Sequence, residues 1–139
     1  MMWLLDTNVL SELRPGKPHA SPAVRQWAAS VPIGRQFISA ITLAELETGI
    51  LRLEHQSPSQ GQALRRWYEG IVTLFRERTL VVDTVVAHHY ARLQAHGPRP
   101  ANDTWIAAIA LAHGMTVVTR NTRDFSHGGV QTLDPWAST

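Results

Sequence analysis

At 139 residues, 44% of them hydrophobic and 17% charged, the chain has the length of one ordinary domain and too much apolar content for a disordered segment. It has no cysteine, which excludes a disulfide framework, a thiolate zinc site and a cysteine nucleophile. Thirteen basic residues against eleven acidic ones leave +2 at pH 7; all the basic residues but Lys17 are Arg, so the isoelectric point climbs to 9.7 without a broadly basic nucleic-acid coat.

Met2-Trp-Leu-Leu5 is an apolar run without helical period, and it predicts a buried strand that stops at Asp6-Thr-Asn8. It is too short for a signal peptide core, and no stretch reaches the ~18 apolar residues of a membrane helix, so a soluble cytoplasmic protein is expected. Pro15, Gly16, Pro18 and Pro22 mark a loop over 14–22. Residues 23–30 read as a short helix with Val24 and Trp27 at i, i+3, and 36–39 as a second strand. From Thr42 to about His55, Leu43, Leu46, Ile50 and Leu53 recur at helical spacing.

Ser57-Pro58-Ser59-Gln60 has the form of a helix start, with a cap Ser, Pro at the first position and Gln three residues on. The helix it predicts runs to about Arg78, with Leu64, Trp67, Ile71, Leu74 and Phe75 on one side. Residues 80–82 read as a third strand. Asp83 or Thr84 then caps a helix carrying Val85, Val86, His89 and Leu93. His96-Gly-Pro-Arg-Pro100 breaks the chain. Asn102 or Asp103 starts a further helix through Ile106, Ile109, Ala110 and His113, and Gly114 stops it. Residues 116–119 and 130–133 complete five strands. Trp27, Trp67, Trp105 and Trp136 read as core aromatics, and none of the seven histidines is assigned as a ligand.

Short apolar runs alternating with helices predict an α/β domain over 1–139, with a mainly parallel sheet covered on both faces. Ligands of such sheets sit beyond the carboxyl ends of the strands. Two polar motifs fall there: Asp6-Thr-Asn8 and Arg120-Asn-Thr-Arg-Asp124. Four acids are candidates, each with a structural alternative. Asp6 is either a turn cap or a functional carboxylate. Glu45 closes Thr42-Leu-Ala-Glu45, a capping-box pattern. Asp103 in a first helical turn also complements the helix dipole, and Asp124 also fits turn chemistry. Taken together they suit a hard cation such as Mg²⁺ or Mn²⁺, which takes carboxylate oxygens and activates water for phosphodiester hydrolysis. Arg120 and Arg123 beside them are candidate phosphate contacts or surface salt-bridge partners.

Four segments in order carry a family resemblance: Leu4-Leu-Asp6-Thr-Asn8-Val-Leu-Ser-Glu12, Ile38-Ser-Ala-Ile-Thr-Leu-Ala-Glu45-Leu-Glu-Thr-Gly49, Asn102-Asp103-Thr-Trp-Ile-Ala-Ala108, and Val118-Thr-Arg-Asn121-Thr-Arg-Asp124-Phe125. Over nearly its whole length the chain resembles PIN-domain proteins of the VapC toxin ribonuclease type, in a layout close to the FitB branch. The resemblance implies an α/β/α sandwich and Mg²⁺- or Mn²⁺-dependent cleavage of RNA. It makes Asp6 and Asp103 the principal metal ligands and Glu45 and Asp124 the residues that complete the site. Thr7 and Asn8 would orient ligands. Some relatives carry Asp where this chain has Asn121, so Asp124 is expected as the fourth carboxylate, with Asn121 the alternative. The resemblance also implies a VapB-like antitoxin as partner, operator DNA bound through that antitoxin, and a homodimer. The competing readings are a weakly catalytic binding module that represses with an antitoxin and, less favoured, a DNA nuclease.

Overall fold

The computed structural model describes residues 1–137; the span expected from sequence, 1–139, also takes in 138 and 139, which lie outside them. Five strands form: β1 (Trp3–Leu5), β2 (Gln36–Ser39), β3 (Thr79–Leu80), β4 (Thr116–Val118) and β5 (Thr132–Leu133). They make one parallel sheet in the order β3-β2-β1-β4-β5. Seven helices occur among the described residues: α1 (Thr7–Glu12), α2 (Pro22–Ser30), α3 (Ala40–Gln56), α4 (Pro58–Leu74), α5 (Thr84–Ala95), α6 (Ala101–His113) and α7 (Thr122–Phe125). None is long and apolar enough to cross a membrane.

β1 lies mid-sheet, and its pleat sends consecutive leucines to opposite faces. Leu4 packs with Val86 and Leu93 of α5, Ile106 and Ile109 of α6, and Val117. Leu5 packs with Val9 and Leu10 of α1, Val24 of α2, Ile38 and Phe75, with Trp67 of α4 at the margin. Both leucines are fully buried, worth about 1.5–3 kcal/mol each. A strand covered on both faces has no polar side, which is why β1 reads as a continuous apolar run. The result is the expected three-layer α/β/α sandwich. Trp27 meets Trp3 edge-on, and Trp105 stacks on Tyr90.

From β1 the chain builds outward to β2 and β3, then crosses to the other side of β1 for β4 and β5. The strand order therefore reverses between β1 and β4, and the crevice beyond their carboxyl ends is where such sheets bind ligands. Asp6 and Thr119 are the residues that follow these two strands.

Several helix boundaries differ from those the sequence predicts. α1, six residues long, is too short to show a period. α4 ends at Leu74, and residues 76–78 form a 3-10 turn instead. The Ser57 cap does not form: Ser57 also closes α3, at φ −148° and ψ 89°, and its side chain makes no cap bond. Only Gly61 lets α4 turn back so tightly on α3, since a Cβ there would stand 2.7 Å from the Glu54 Cα. Gly61→Ala should therefore destabilise the chain by about 1–3 kcal/mol, despite alanine's better helix propensity. Thermal melts of the variant check this.

Candidate active site

Asp6 leaves β1 with its amide still in the sheet, donating to the Val118 carbonyl at 2.9 Å. The residue is 4% exposed. Its Oδ1 accepts the Thr7 amide at 2.8 Å, and its Oδ2 accepts the Thr119 hydroxyl at 2.8 Å. Asp6 is thus the N-cap of α1 and a buried carboxylate at the sheet edge at once. Thr119 Oγ1 in turn accepts from the Asn121 amide at 3.0 Å and from Asn8 Nδ2 at 3.4 Å. With both lone pairs engaged, its single proton points to Asp6. Thr119 is not among the candidates read from the sequence, although it lies in the Val118–Phe125 segment, because nothing local marks its hydroxyl; the parallel register that sets β4 beside β1 is what selects it.

The capping box at Thr42 and Glu45 does not form. β2 runs straight into α3, and Ser39 is the cap, its Oγ accepting the Thr42 amide at 3.1 Å. That places Glu45 in the second turn, beyond reach of a cap amide. It reaches across to other segments instead. Oε1 accepts the Thr7 hydroxyl at 2.6 Å, and Oε2 accepts Asn102 Nδ2 at 3.3 Å. The Thr42 hydroxyl lies 3.0 Å from that of Thr7. Glu45→Gln tests the role of the charge. An amide can meet a hydroxyl and another amide, so the melting temperature should stay near the wild type's, within about 0.5 kcal/mol. RNA cleavage should fall sharply, as a cleavage assay on the folded variant would show. Unchanged cleavage would remove Glu45 from the site.

Neither Asn102 nor Asp103 caps α6, which starts one residue earlier, after Pro100. Their side chains are left to the crevice. Asp103 is half-buried, and its carboxyl is pushed up to about 6, first by burial and then by the charges of Asp6, Asp124 and Glu45. Burial also raises Asp6, against the opposing hydrogen bonds from Thr119 and Thr7, with Glu45 and Asp124 adding to the rise. The charges of Glu45 and Asp124 thus bear on both Asp6 and Asp103, from four separate segments. Asp124 stands exposed on α7. Asn121 precedes α7, makes no side-chain cap bond and has a neutral amide, so the one carboxylate of this segment is that of Asp124.

Among the described residues no three His, Asp or Glu side chains stand close enough to form a finished ion cage. The fit to a hard cation rests on the donor chemistry. No cationic side chain contributes to the shift of Asp6 or Asp103. The upward shift of Asp103 comes first from burial and then from like charges, and a cation beside it would favour the charged form against both. Mg²⁺ keeps several waters and needs only one or two protein carboxylates. Asp6 and Asp103 suit that role, with Glu45 and Asp124 beside them.

Arg120 and Arg123 are exposed, and neither forms a salt bridge among the described residues. The Arg120 guanidinium lies 5.2 Å from the centroid of the Trp136 ring, a cation–π contact. The single lysine is committed elsewhere: Lys17 pairs with buried Glu12, which also accepts the Ser21 amide at 2.6 Å and so holds the 14–21 loop down.

The PIN domain family profile matches residues 3–129. Toxin FitB of Neisseria gonorrhoeae is 37% identical, over 97% of this chain and 99% of its own. VapC ribonuclease Y4jK of Sinorhizobium fredii is 33% identical, over 97% and 98%. The solved structure of FitAB bound to an IR36 DNA fragment contains a chain that superposes with a TM-score of 0.89 at 37% identity, covering 99% of this chain and 98% of that one.

Proposed function

The chain belongs to the PIN-domain family, and from that premise we propose that it is a Mg²⁺- or Mn²⁺-dependent endoribonuclease, the toxin of a VapBC-like toxin–antitoxin pair. The observation that carries this reading is that Asp6 and Glu45, from separate segments, meet through Thr7 at the carboxyl end of β1, with Asn102 of α6 bound to the same Glu45 and its neighbour Asp103 raised by burial and by the charges of the other acids. A module that only binds has no use for four mutually repelling carboxylates at an open sheet edge. A phosphodiester hydrolase has one. Asp6 and Asp103 would hold the ion, which when bound supplies a polarised phosphoryl oxygen and a more acidic water.

The protein's part is positioning. Thr119 and the Thr7 amide fix both oxygens of Asp6, so its carboxylate plane is set before substrate arrives. Thr7 and Asn102 do the same for Glu45. That leaves the remaining lone pairs of Glu45 to accept the proton of the attacking water. Asn8 and Asn121 act one step back, through Thr119. Arg120 and Arg123 stand at the exposed rim as phosphate contacts.

The DNA-bound FitAB assembly supports a VapB-like antitoxin as the partner of this chain, with operator DNA reached through that partner. The toxin half would be a homodimer acting in the cytoplasm. Purified protein, freed of its partner and incubated with structured RNA, tests the activity. RNA should be cut in Mn²⁺ and survive in EDTA. Intact RNA under both conditions, with the antitoxin complex still binding operator DNA, would mean a binding module without turnover.

A further inference from the structure

Outside the acid cluster, α3 presents Glu45, Thr48, Gly49 and Arg52 at i, i+3, i+4 and i+7, a spacing that sets them on one face. With Ala44 and Asn102 of α6 they line a pocket of about 330 Å³, within the size range of small-ligand sites. Glu45 joins this pocket to the acidic crevice. Arg52 lies two turns further on, roughly 10 Å along the helix axis.

Two features leave the pocket open and its cation free to take an outside partner. Arg52 is exposed and forms no salt bridge among the described residues. Its helical neighbours three and four residues away are Thr48, Gly49, His55 and Gln56, so no carboxylate is placed to pair with it. The nearby acids Glu47 and Glu54 are both held by Arg65. Gly49 lies inside a helix, where glycine is unfavourable. Nothing stands within 4 Å of where its Cβ would be, in contrast to Gly61, and its φ is not positive. What Gly49 leaves is open volume between Glu45 and Arg52.

Resting on the ribonuclease reading, we propose that this pocket is a nucleotide subsite for the RNA strand flanking the cleaved bond, with Arg52 taking the backbone phosphate and the space over Gly49 taking the ribose. The planar guanidinium fork suits a phosphate. The order along α3, acids first and then guanidinium, gives the strand a direction away from the reacting phosphate.

The test measures binding of a single-stranded RNA oligonucleotide by fluorescence anisotropy across a salt series, in an Asp103→Asn background that keeps the RNA whole. Arg52→Ala should weaken binding and make the slope of log K against log salt shallower by about 0.7, the loss of one phosphate contact to a single strand. An oligonucleotide carrying one uncharged methylphosphonate should, at a single position, weaken the parent but not Arg52→Ala. Gly49→Leu should melt at or above the parent and still bind RNA more weakly. An Arg52→Ala protein with the parent's affinity and slope overturns the subsite while leaving the ribonuclease reading standing. So does one that loses only its antitoxin, which would assign Arg52 to a protein partner. A Gly49→Leu protein that melts lower makes the glycine a packing residue and removes the ribose assignment. If the parent binds no RNA, the subsite falls, while the Mn²⁺-dependent cleavage assay on the wild type decides the ribonuclease reading by itself.

Discussion

Asp103→Asn should abolish metal-dependent RNA cleavage and leave a chain that melts, without metal, at or above the wild type. The amide keeps the size of the carboxyl and removes its charge. Asp103 suits this test better than Asp6. Two hydrogen bonds oppose the upward shift of Asp6, while burial and three like charges push on Asp103 with none opposing. Removing the charge therefore breaks nothing that holds the fold. Losing several kcal/mol of transition-state stabilisation from a displaced cation means at least a ~100-fold drop in rate, at about 1.4 kcal/mol per tenfold. Cleavage assays in Mn²⁺ and calorimetric melts in chelator read the two halves separately. A folded variant that cleaves at the wild-type rate removes Asp103 from the site, and one that melts well below the wild type makes it a structural residue.

The metal-free protein should also gain stability as the pH falls from 7 toward 4.5. An acid whose folded pKa is raised binds its proton more readily in the folded chain than in the unfolded one. Stability is therefore lost as pH rises through the window between the two values. For Asp103 that window runs from 3.8 to about 6. A fully enclosed group with this shift would change stability by about 3 kcal/mol. Asp103 is partly open to solvent, so about 1–2 kcal/mol is expected. Asp6 is shifted the same way. Glu12 and Glu54 are lowered by their partners Lys17 and Arg65 and act in the opposite sense, but only below the ordinary value of 4.5, whereas His127, lowered by burial and by Arg99, offsets part of the gain below 6.5. Mn²⁺ should reverse the trend. It adds about 2.7 kcal/mol at 100 times its dissociation constant, and it should do so more at pH 7 than at pH 5, where protons compete for Asp103. Melts at pH 7, 6 and 5, with Mn²⁺ and with chelator, check the signs.

The inner strands β1, β2 and β4 were legible because short apolar runs in a doubly covered sheet have little to confuse them, whereas the half-buried edge strands shifted, 80–82 to Thr79–Leu80 with Val81 and Val82 exposed, and 130–133 to Thr132–Leu133. Each of the four acids has a structural alternative in the sequence, a turn cap, a capping box, a helix-dipole position or a turn, so they stand out there only as a set. Asp6 is the N-cap of α1 and also a buried carboxylate at the sheet edge. At Glu45 the local pattern misled: the Thr-x-x-Glu spacing is that of a capping box, but β2 passes into α3 without a loop and Ser39 takes the cap. The same holds for Asn102 and Asp103, displaced inward by a helix that begins at Ala101. Cap patterns are decided by where the chain enters the helix, which tertiary packing sets. Thr119 and the Asn102–Glu45 contact depend on segments 113 and 57 residues away from their partners, and no local pattern encodes them.

The most direct test of the central claim is the number of protons released when Mn²⁺ binds, measured by titration calorimetry at pH 6 in buffers of different ionisation enthalpy. A cation held by Asp103, whose carboxyl is pushed up to about 6, must displace the proton it shares. Roughly half a proton should leave per ion at pH 6 and almost none at pH 7.5, and Asp103→Asn should lose both the affinity and the release. Absence of Mn²⁺ binding by the wild type, or equal binding and equal proton release in the variant, would contradict the claim that these carboxylates form a metal site.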